Sequence, residues 1–262
     1  MPPLTTDQVL TFTRELLAAS QAVVRGQIRC PESDHLGVMT ILFAAKQVGH
    51  FETIHSLVGI GKNSDATILA RVMLEGMSVL FWASNDPDDR AKKWRAYSLV
   101  FDLRLLRERQ QSGMATSDDD EEALLVRLET EASVFLKSGR TDHQNPEAYR
   151  SRWHLDQSGK AVSISEMIAS IDDPNLLPLY DALSNWIHWN VRGLAGGIQR
   201  EGDHVRIAWD DSRDGSWALS AGFQATLLTM RALDRHFAMG QAQNFLNIRD
   251  RYVKAAVDAQ AV

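Results

Sequence analysis

The 262-residue chain has a single cysteine, Cys30, and only 16 glycines and 7 prolines. One cysteine excludes an internal disulfide framework and is typical of proteins of the reducing cytosol. The low glycine and proline content excludes collagen-like and low-complexity chains. Basic residues do not predominate either, because 28 Lys and Arg stand against 34 Asp and Glu, a formal charge of −6. This balance predicts no long-range attraction to nucleic acid or to anionic lipid.

Long apolar runs are also missing. No uninterrupted run reaches the roughly 18–20 residues that span a bilayer, and residues 1–7 lack the basic and apolar blocks of a signal peptide. We therefore expect a cytoplasmic protein that does not associate with membranes. What the sequence has is an ordinary globular composition, with 44% hydrophobic and 24% charged residues. A chain of this length buries roughly 70–75% of its unfolded surface and needs no structural metal or disulfide.

Apolar residues recur at three- and four-residue steps along most of the chain, a spacing that predicts amphipathic helices. Ser33 or Asp34 is a candidate N-cap of the second helix, and Pro87 stands in the first turn of the fourth. The acidic run Asp118–Glu122 has two interpretations, a partner-binding tract or the solvated first turn of a fifth helix, and the apolar residues behind it favour the helix. The predicted helices cover approximately residues 6–25, 35–58, 66–84, 87–111, 118 onward, 163–171, 174–190, 216–239 and 241–260.

In one segment, apolar and polar residues alternate as they do in a β-strand. Residues 204–209 follow Gly202-Asp203, and together with residues 196–201 they predict a hairpin with a two-residue turn. The sequence shows no internal repeat and no linker long enough to separate two hydrophobic cores. We therefore predict an all-α protein, a single domain over residues 1–262 built as one multi-helix bundle, with one small β-hairpin inserted near residues 197–209.

The third predicted helix carries two charges in apolar surroundings. Between Ala66 and Ser84 the sequence is apolar almost all round, which predicts a central, buried helix. Arg71 and Glu75 interrupt it one turn apart, and both need polar partners because an unpaired buried charge costs several kcal/mol. In a functional interpretation, Arg71 holds an anionic group of a ligand, and Glu75 orients that group or acts as a base. In a structural interpretation, the two pair with each other and with polar groups of neighbouring helices.

A second polar stripe lies on a later predicted helix. Tyr180, Ser184 and His188 are spaced by four residues and therefore share one helix face. In one interpretation His188 exchanges a proton near neutral pH while Ser184 positions a substrate oxygen or a water. In the other, the three side chains form an internal hydrogen-bond chain. Because the third helix needs polar partners, we expect Arg71 and Glu75 to meet this stripe.

A metal site is the next possibility, at His50, Glu52 and His55. Glu52 and His55 have the Glu-x-x-His spacing of helical di-iron sites, but such a site needs a second Glu-x-x-His, and the sequence has none. His50 and His55 also diverge by about 140° around a helix. The sequence has no glycine-rich or Walker-type phosphate loop that would support a nucleotide cofactor. We expect no metal and no cofactor.

The order of these motifs resembles a bacterial all-helical family known only as a domain of unknown function. The shared features are a Leu-x-Arg-x-x-x-Glu helix, here Leu69, Arg71 and Glu75, then a central tryptophan, here Trp153. A Tyr-x-x-x-Ser-x-x-x-His helix follows, formed here by the second polar stripe. The resemblance covers roughly residues 50–239. It implies a helical architecture and a set of residues, but no reaction.

A more distant likeness is to the helical HEPN domains, which include metal-independent ribonucleases and toxins. Their signature places an arginine four to six residues before a histidine, and no arginine stands at those positions before His188. Arg231 and His236 have the spacing, but their amphipathic context predicts the outer face of a late helix. The acidic balance also argues against a surface that binds RNA.

Two functions from different classes follow from these residues. The first is a non-catalytic binding or interaction module, in which Arg71, Tyr180 and Ser184 bind a protein or a small-molecule ligand. The alternative is a metal-independent acid–base enzyme, or a HEPN-like ribonuclease or toxin relic, with His188 and Glu75 as catalytic residues and Arg71 as the anion anchor. A homodimer is compatible with either function.

Overall fold

The computed structural model describes residues 5–187, 198–207 and 215–260. Helices make up most of these residues, and the all-α prediction is confirmed. Strands β1 (Ile198–Glu201) and β2 (His204–Ile207) pair antiparallel around the predicted turn. The α-helices are α1 (Thr6–Val24), α2 (His35–Gly59), α3 (Asn63–Ser84), α4 (Lys92–Ala96), α5 (Ser98–Gln111), α6 (Asp118–Glu131), α7 (Ile164–Ala169), α8 (Leu176–Ile187), α9 (Ser216–Phe237) and α10 (Ala242–Gln260).

Two helix starts follow from side-chain capping. The Asp34 carboxylate accepts a hydrogen bond from the backbone N–H of Gly37 at 2.8 Å and begins α2. The Ser117 hydroxyl accepts one from the backbone N–H of Asp120 and begins α6. The acidic run Asp118–Glu122 is therefore the first turn of α6, where the helix dipole favours negative charge, as the sequence predicts.

The described chain forms two compact units, residues 1–81 with 164–262 and residues 82–163. In the first unit, α1, α2, α3, α8, α9 and α10 contribute to one hydrophobic core. Gly222 of α9 allows α9 to lie close against α2, because a Cβ atom there would be 2.8 Å from Cδ2 of Phe51. The single domain predicted for the whole chain stays a prediction.

The second unit has its own core beneath α5 and α6. The Tyr97 ring lies edge-on to Phe135 with 5.0 Å between ring centroids, and its hydroxyl donates to the Arg150 carbonyl at 2.8 Å. Tyr97 separates α4 from α5, so the continuous helix predicted over residues 87–111 is wrong at this point. A π-helical turn at Pro87–Ala91 also precedes α4. The other buried apolar side chains of this core include Leu99, Val100, Leu103, Leu128, Tyr149 and Leu155.

Among the described residues, α3 is one helix that is long and apolar enough to cross a membrane, judged by length and composition alone. Ala70, Leu74 and Met77 of this helix are fully buried in the core of the first unit. These three residues of α3 therefore contribute to that core.

Candidate functional site

Arg71 and Glu75 lie on α3 at the edge of the core. Their side chains are 17% and 29% exposed, and Ile68 and Val72 of the same helix are 41% and 36% exposed. The prediction that α3 is buried on every side is therefore wrong, because one stripe of the helix faces solvent. An apolar sequence pattern does not reveal which side a helix leaves uncovered, since much of any protein surface is apolar.

Two hydroxyl groups of α8 face this pair. Leu176 and Leu183 lie on one side of α8 and pack into the core of the first unit. Tyr180 and Ser184, one turn apart, share the side that meets α3. The Arg71 guanidinium also lies over the Tyr180 ring, with its central carbon 5.0 Å from the ring centroid, a distance that allows a cation–π contact.

Arg71, Glu75, Tyr180 and Ser184 form one hydrogen-bonded network, which we call the polar cluster. The Arg71 guanidinium donates through Nε to Ser184 Oγ at 3.0 Å and through Nη2 to Tyr180 Oη at 2.9 Å. Its Nη1 lies 2.7 Å from Glu75 Oε1. The Tyr180 hydroxyl donates to Glu75 Oε1 at 3.2 Å, and the Ser184 hydroxyl donates to the Tyr180 carbonyl at 2.7 Å. The expected meeting of the two polar stripes is therefore found for these four residues.

Both hydroxyl groups of the polar cluster are engaged in two directions. Tyr180 and Ser184 each accept a hydrogen bond from Arg71 and donate one within the chain. Burial raises the pKa of Tyr180, and the Glu75 carboxylate raises it further, while Arg71 opposes the change. Tyr180 therefore stays protonated at neutral pH. Among the described residues, the Ser184 hydroxyl donates to a backbone carbonyl and not to the side-chain base that an activated nucleophile requires.

The outer side of the cluster belongs to Glu75. Both of its described contacts fall on one carboxylate oxygen, Oε1, while Oε2 accepts no hydrogen bond from the described parts of the chain. An anion held by an arginine and a tyrosine can therefore still accept a hydrogen bond from outside. His188, the other residue predicted to act in catalysis, lies outside the described residues, and its role stays a prediction.

The histidines considered for metal binding have other surroundings. Glu52 is exposed, whereas His55 is half-buried with its ring edge-on to Phe51 at 4.9 Å between centroids. The pKa of His55 is lowered to about 4, first by burial and then by the nearby Arg14, while a hydrogen bond to the backbone of Thr13 opposes the change. Within the described ranges, no group of three His, Cys, Asp or Glu residues is arranged to hold a metal ion.

The late pair with HEPN-type spacing is not arranged as a pair. His236 Nε2 lies 2.8 Å from Oδ2 of Asp34, the residue that caps α2. The predicted outer-face position is wrong for Arg231, which is half-buried and lines a cleft together with residues of α8 and α10. No local signal connects Asp34 with His236, because 202 positions separate them. Sequence reasoning missed this contact.

Comparison with known proteins gives a family but no activity. A family model described as "Family of unknown function (DUF5677)" matches residues 38–205. The matched range includes all four residues of the polar cluster and His188. No curated protein and no solved structure matches the chain.

Proposed function

Since the chain belongs to the DUF5677 family, a family of unknown function, we propose a function from the polar cluster itself. The protein is a non-catalytic binding module, and its polar cluster holds the Glu75 carboxylate at the surface of α3 for a partner or ligand. In this proposal Arg71, Tyr180 and Ser184 fix the position of Glu75 instead of reacting.

The observation that carries this proposal is that the N–H groups of Arg71 already bind partners inside the protein. Three different nitrogen atoms of its guanidinium contact Ser184, Glu75 and Tyr180, so the group is fixed in one orientation. A guanidinium that binds a substrate anion uses two parallel N–H groups for a bidentate contact. In Arg71 the two terminal nitrogens already contact Glu75 and Tyr180.

The surroundings of Glu75 suit recognition of a partner. Ile68 and Val72 precede Glu75 by seven and three residues, so the three side chains share one helix face. Two half-exposed aliphatic side chains beside an oriented carboxylate offer both apolar area and a directional hydrogen bond. A second copy of this chain, another protein or a small molecule with a donor group fits this description.

Native mass spectrometry of the purified full chain tests the proposal. We expect the wild-type protein to carry a bound molecule or a second copy of the chain, and Glu75→Gln to lose it while remaining folded. Glu52→Gln, which removes an exposed carboxylate on α2, serves as the matched control and retains the bound species. Loss of the species in both variants, or a bare monomer for the wild type, contradicts the proposal.

A ribonuclease assay separates this function from the alternative. We expect no cleavage of single-stranded RNA that depends on His188. Cleavage by the wild type that His188→Ala abolishes would establish the HEPN-like acid–base enzyme instead, because proton transfer by a histidine is the step that such an enzyme requires.

We also propose that the protein works in the bacterial cytoplasm, without a membrane or nucleic acid as partner. The formal charge of −6, the single cysteine and the core contacts of α3 support this location. Fractionation of cells should place the full-length protein in the soluble fraction, and its recovery with membranes would contradict the proposal.

A further inference from the structure

A cleft of about 550 Å³ lies in the first unit, between α9, α10 and the loop that leads into α8. The floor is apolar, because Leu176, Phe223 and Leu227 line it and are themselves buried. The volume falls in the range of roughly 300–1,000 Å³ that is typical of small-molecule sites. The side of α8 that carries Leu176 and Leu179 faces this cleft, whereas Tyr180 and Ser184 of the same helix belong to the polar cluster.

Charged residues surround the apolar floor. Two arginines and three aspartates line the cleft, which gives a net charge of −1. Their positions are Arg231, Arg249, Asp172, Asp173 and Asp250.

Three of these five groups already have partners inside the protein. Arg249 Nη2 lies 2.7 Å from Oδ1 of Asp250. The Asp173 carboxylate accepts hydrogen bonds from Gln224 Nε2 at 2.8 Å and from the Asn175 backbone N–H at 3.0 Å. These contacts fix the walls of the cleft, and they leave these groups little capacity for a ligand.

The other two charges have opposite signs. Neither Arg231 nor Asp172 makes a hydrogen bond or an ion pair through its side chain with any part of the chain that the structure describes. Arg231 is half-buried, where an unpaired guanidinium is unfavourable, and Asp172 is exposed at the rim. One free cation and one free anion beside an apolar floor complement a molecule that carries both charges and an apolar group.

We propose that this cleft binds a free α-amino acid with a large apolar side chain. Its carboxylate pairs with Arg231, its ammonium group pairs with Asp172, and its side chain lies on Leu176, Phe223 and Leu227. A simple carboxylic acid would leave Asp172 unmatched and raise the negative charge of the cleft. A simple amine would leave Arg231 unmatched. The site is separate from the polar cluster and does not depend on the function proposed for it.

Calorimetry with three related compounds tests the charge requirement on the full chain. The compounds are L-phenylalanine, 3-phenylpropionate, which lacks the ammonium group, and 2-phenylethylamine, which lacks the carboxylate. We expect L-phenylalanine to bind at least roughly tenfold more tightly than either analogue, because each analogue loses one charged hydrogen bond. Equal binding of either analogue overturns the proposal, and so does an absence of binding by L-phenylalanine at millimolar concentration.

Two variants test the assignment of residues. Arg231→Gln and Asp172→Asn should each weaken the binding of L-phenylalanine at least roughly tenfold. Arg235→Gln is the matched control, because Arg235 follows on α9 one turn later, is exposed and does not line the cleft. Wild-type affinity in Arg231→Gln overturns the assignment. Glu75→Gln should bind L-phenylalanine like the wild type. The amino-acid site can therefore be confirmed or rejected separately from the function proposed for the polar cluster.

Discussion

At the scale of single residues, the polar cluster shows why a charge can sit at the edge of an apolar core. Arg71 and Glu75 neutralise each other, and the two hydroxyls of α8 replace the water that each would lose. The sequence predicts the partners Tyr180 and Ser184 correctly because a nearly apolar helix leaves few alternatives for its charges. The exact exposure of the pair is not encoded locally, since it depends on which neighbouring helices cover α3.

The cluster should respond to single and double substitutions in different ways. Arg71→Met leaves the Glu75 carboxylate partly buried without its cation, and Glu75→Leu leaves Arg71 without its anion. Each change should lower the free energy of unfolding by about 1–3 kcal/mol, between the values for exposed and fully buried pairs. The double variant should be less destabilised than the sum of the two, because no unpaired charge remains. Urea unfolding of all three variants measures these differences.

An exposed pair of the same spacing provides the control for that comparison. Arg127 and Glu131 are 58% and 43% exposed and lie one turn apart on α6, with 2.9 Å between Nε and Oε1. Arg127→Met should change the free energy of unfolding by about 0.5 kcal/mol or less. A similar effect at Arg71 would mean that the polar cluster contributes no more than a surface ion pair.

His55 makes the stability depend on pH in a defined direction. Its pKa is about 4 in the folded protein against 6.5 ordinarily, so the unfolded chain binds the proton first as the pH falls. The contribution of His55 is complete above about pH 6.5 and is lost as the pH falls towards about 4. His55→Phe should flatten the pH dependence of the unfolding free energy in this window. An unchanged slope in the variant would show that His55 titrates normally in the folded state.

At the scale of helices and strands, periodicity and capping predict where most elements begin, and packing decides the rest. Asp34 and the acidic run of α6 are local signals, and in the structure Asp34 caps α2 and the acidic run forms the first turn of α6. The interruption at Tyr97 has no local signal, and the contacts that hold this side chain are with Phe135 and Arg150, 38 and 53 positions away. Such contacts are invisible to a reading of helical periodicity, which sees only neighbours within a few turns.

The approach of α2 and α9 should depend on the absence of a side chain at one position. Gly222→Ala places a methyl group 2.8 Å from the fully buried Phe51 ring, and the rigid ring cannot yield without repacking. We expect a loss of about 1–3 kcal/mol in the free energy of unfolding. Circular dichroism during thermal unfolding measures the change.

Gly49 supplies a control within α2. A Cβ atom at this exposed helical position would meet no atom within 4 Å. Gly49→Ala should therefore stabilise the protein by up to about 1 kcal/mol through helix propensity alone. If Gly222→Ala is stabilised to the same extent, the close contact with Phe51 is not a constraint.

At the scale of the whole molecule, the predicted single domain has a direct test. The division between the two units falls at Phe81 and Trp82, inside α3. If the chain is one domain, unfolding of α3 should be shared by both units, and we expect one transition in guanidinium chloride. In a variant whose other four tryptophans, Trp186, Trp189, Trp209 and Trp217, are replaced by phenylalanine, the fluorescence of Trp82, Trp94 and Trp153 reports on the second unit. Far-UV circular dichroism reports on all helices. Transitions that do not coincide would show two independently folding domains.

The order of elements in the first unit has a consequence for synthesis on the ribosome. Residues 1–81 of that unit are separated from residues 164–262 by the entire second unit. Arg71 meets Ser184, 113 positions later, so about 100 residues must be translated after α3 before its partner helix exists. At ~5–20 residues per second this takes roughly 5–20 s. During that interval the nascent chain displays a long apolar helix without α8, which makes this stage of translation the natural point for a chaperone to bind.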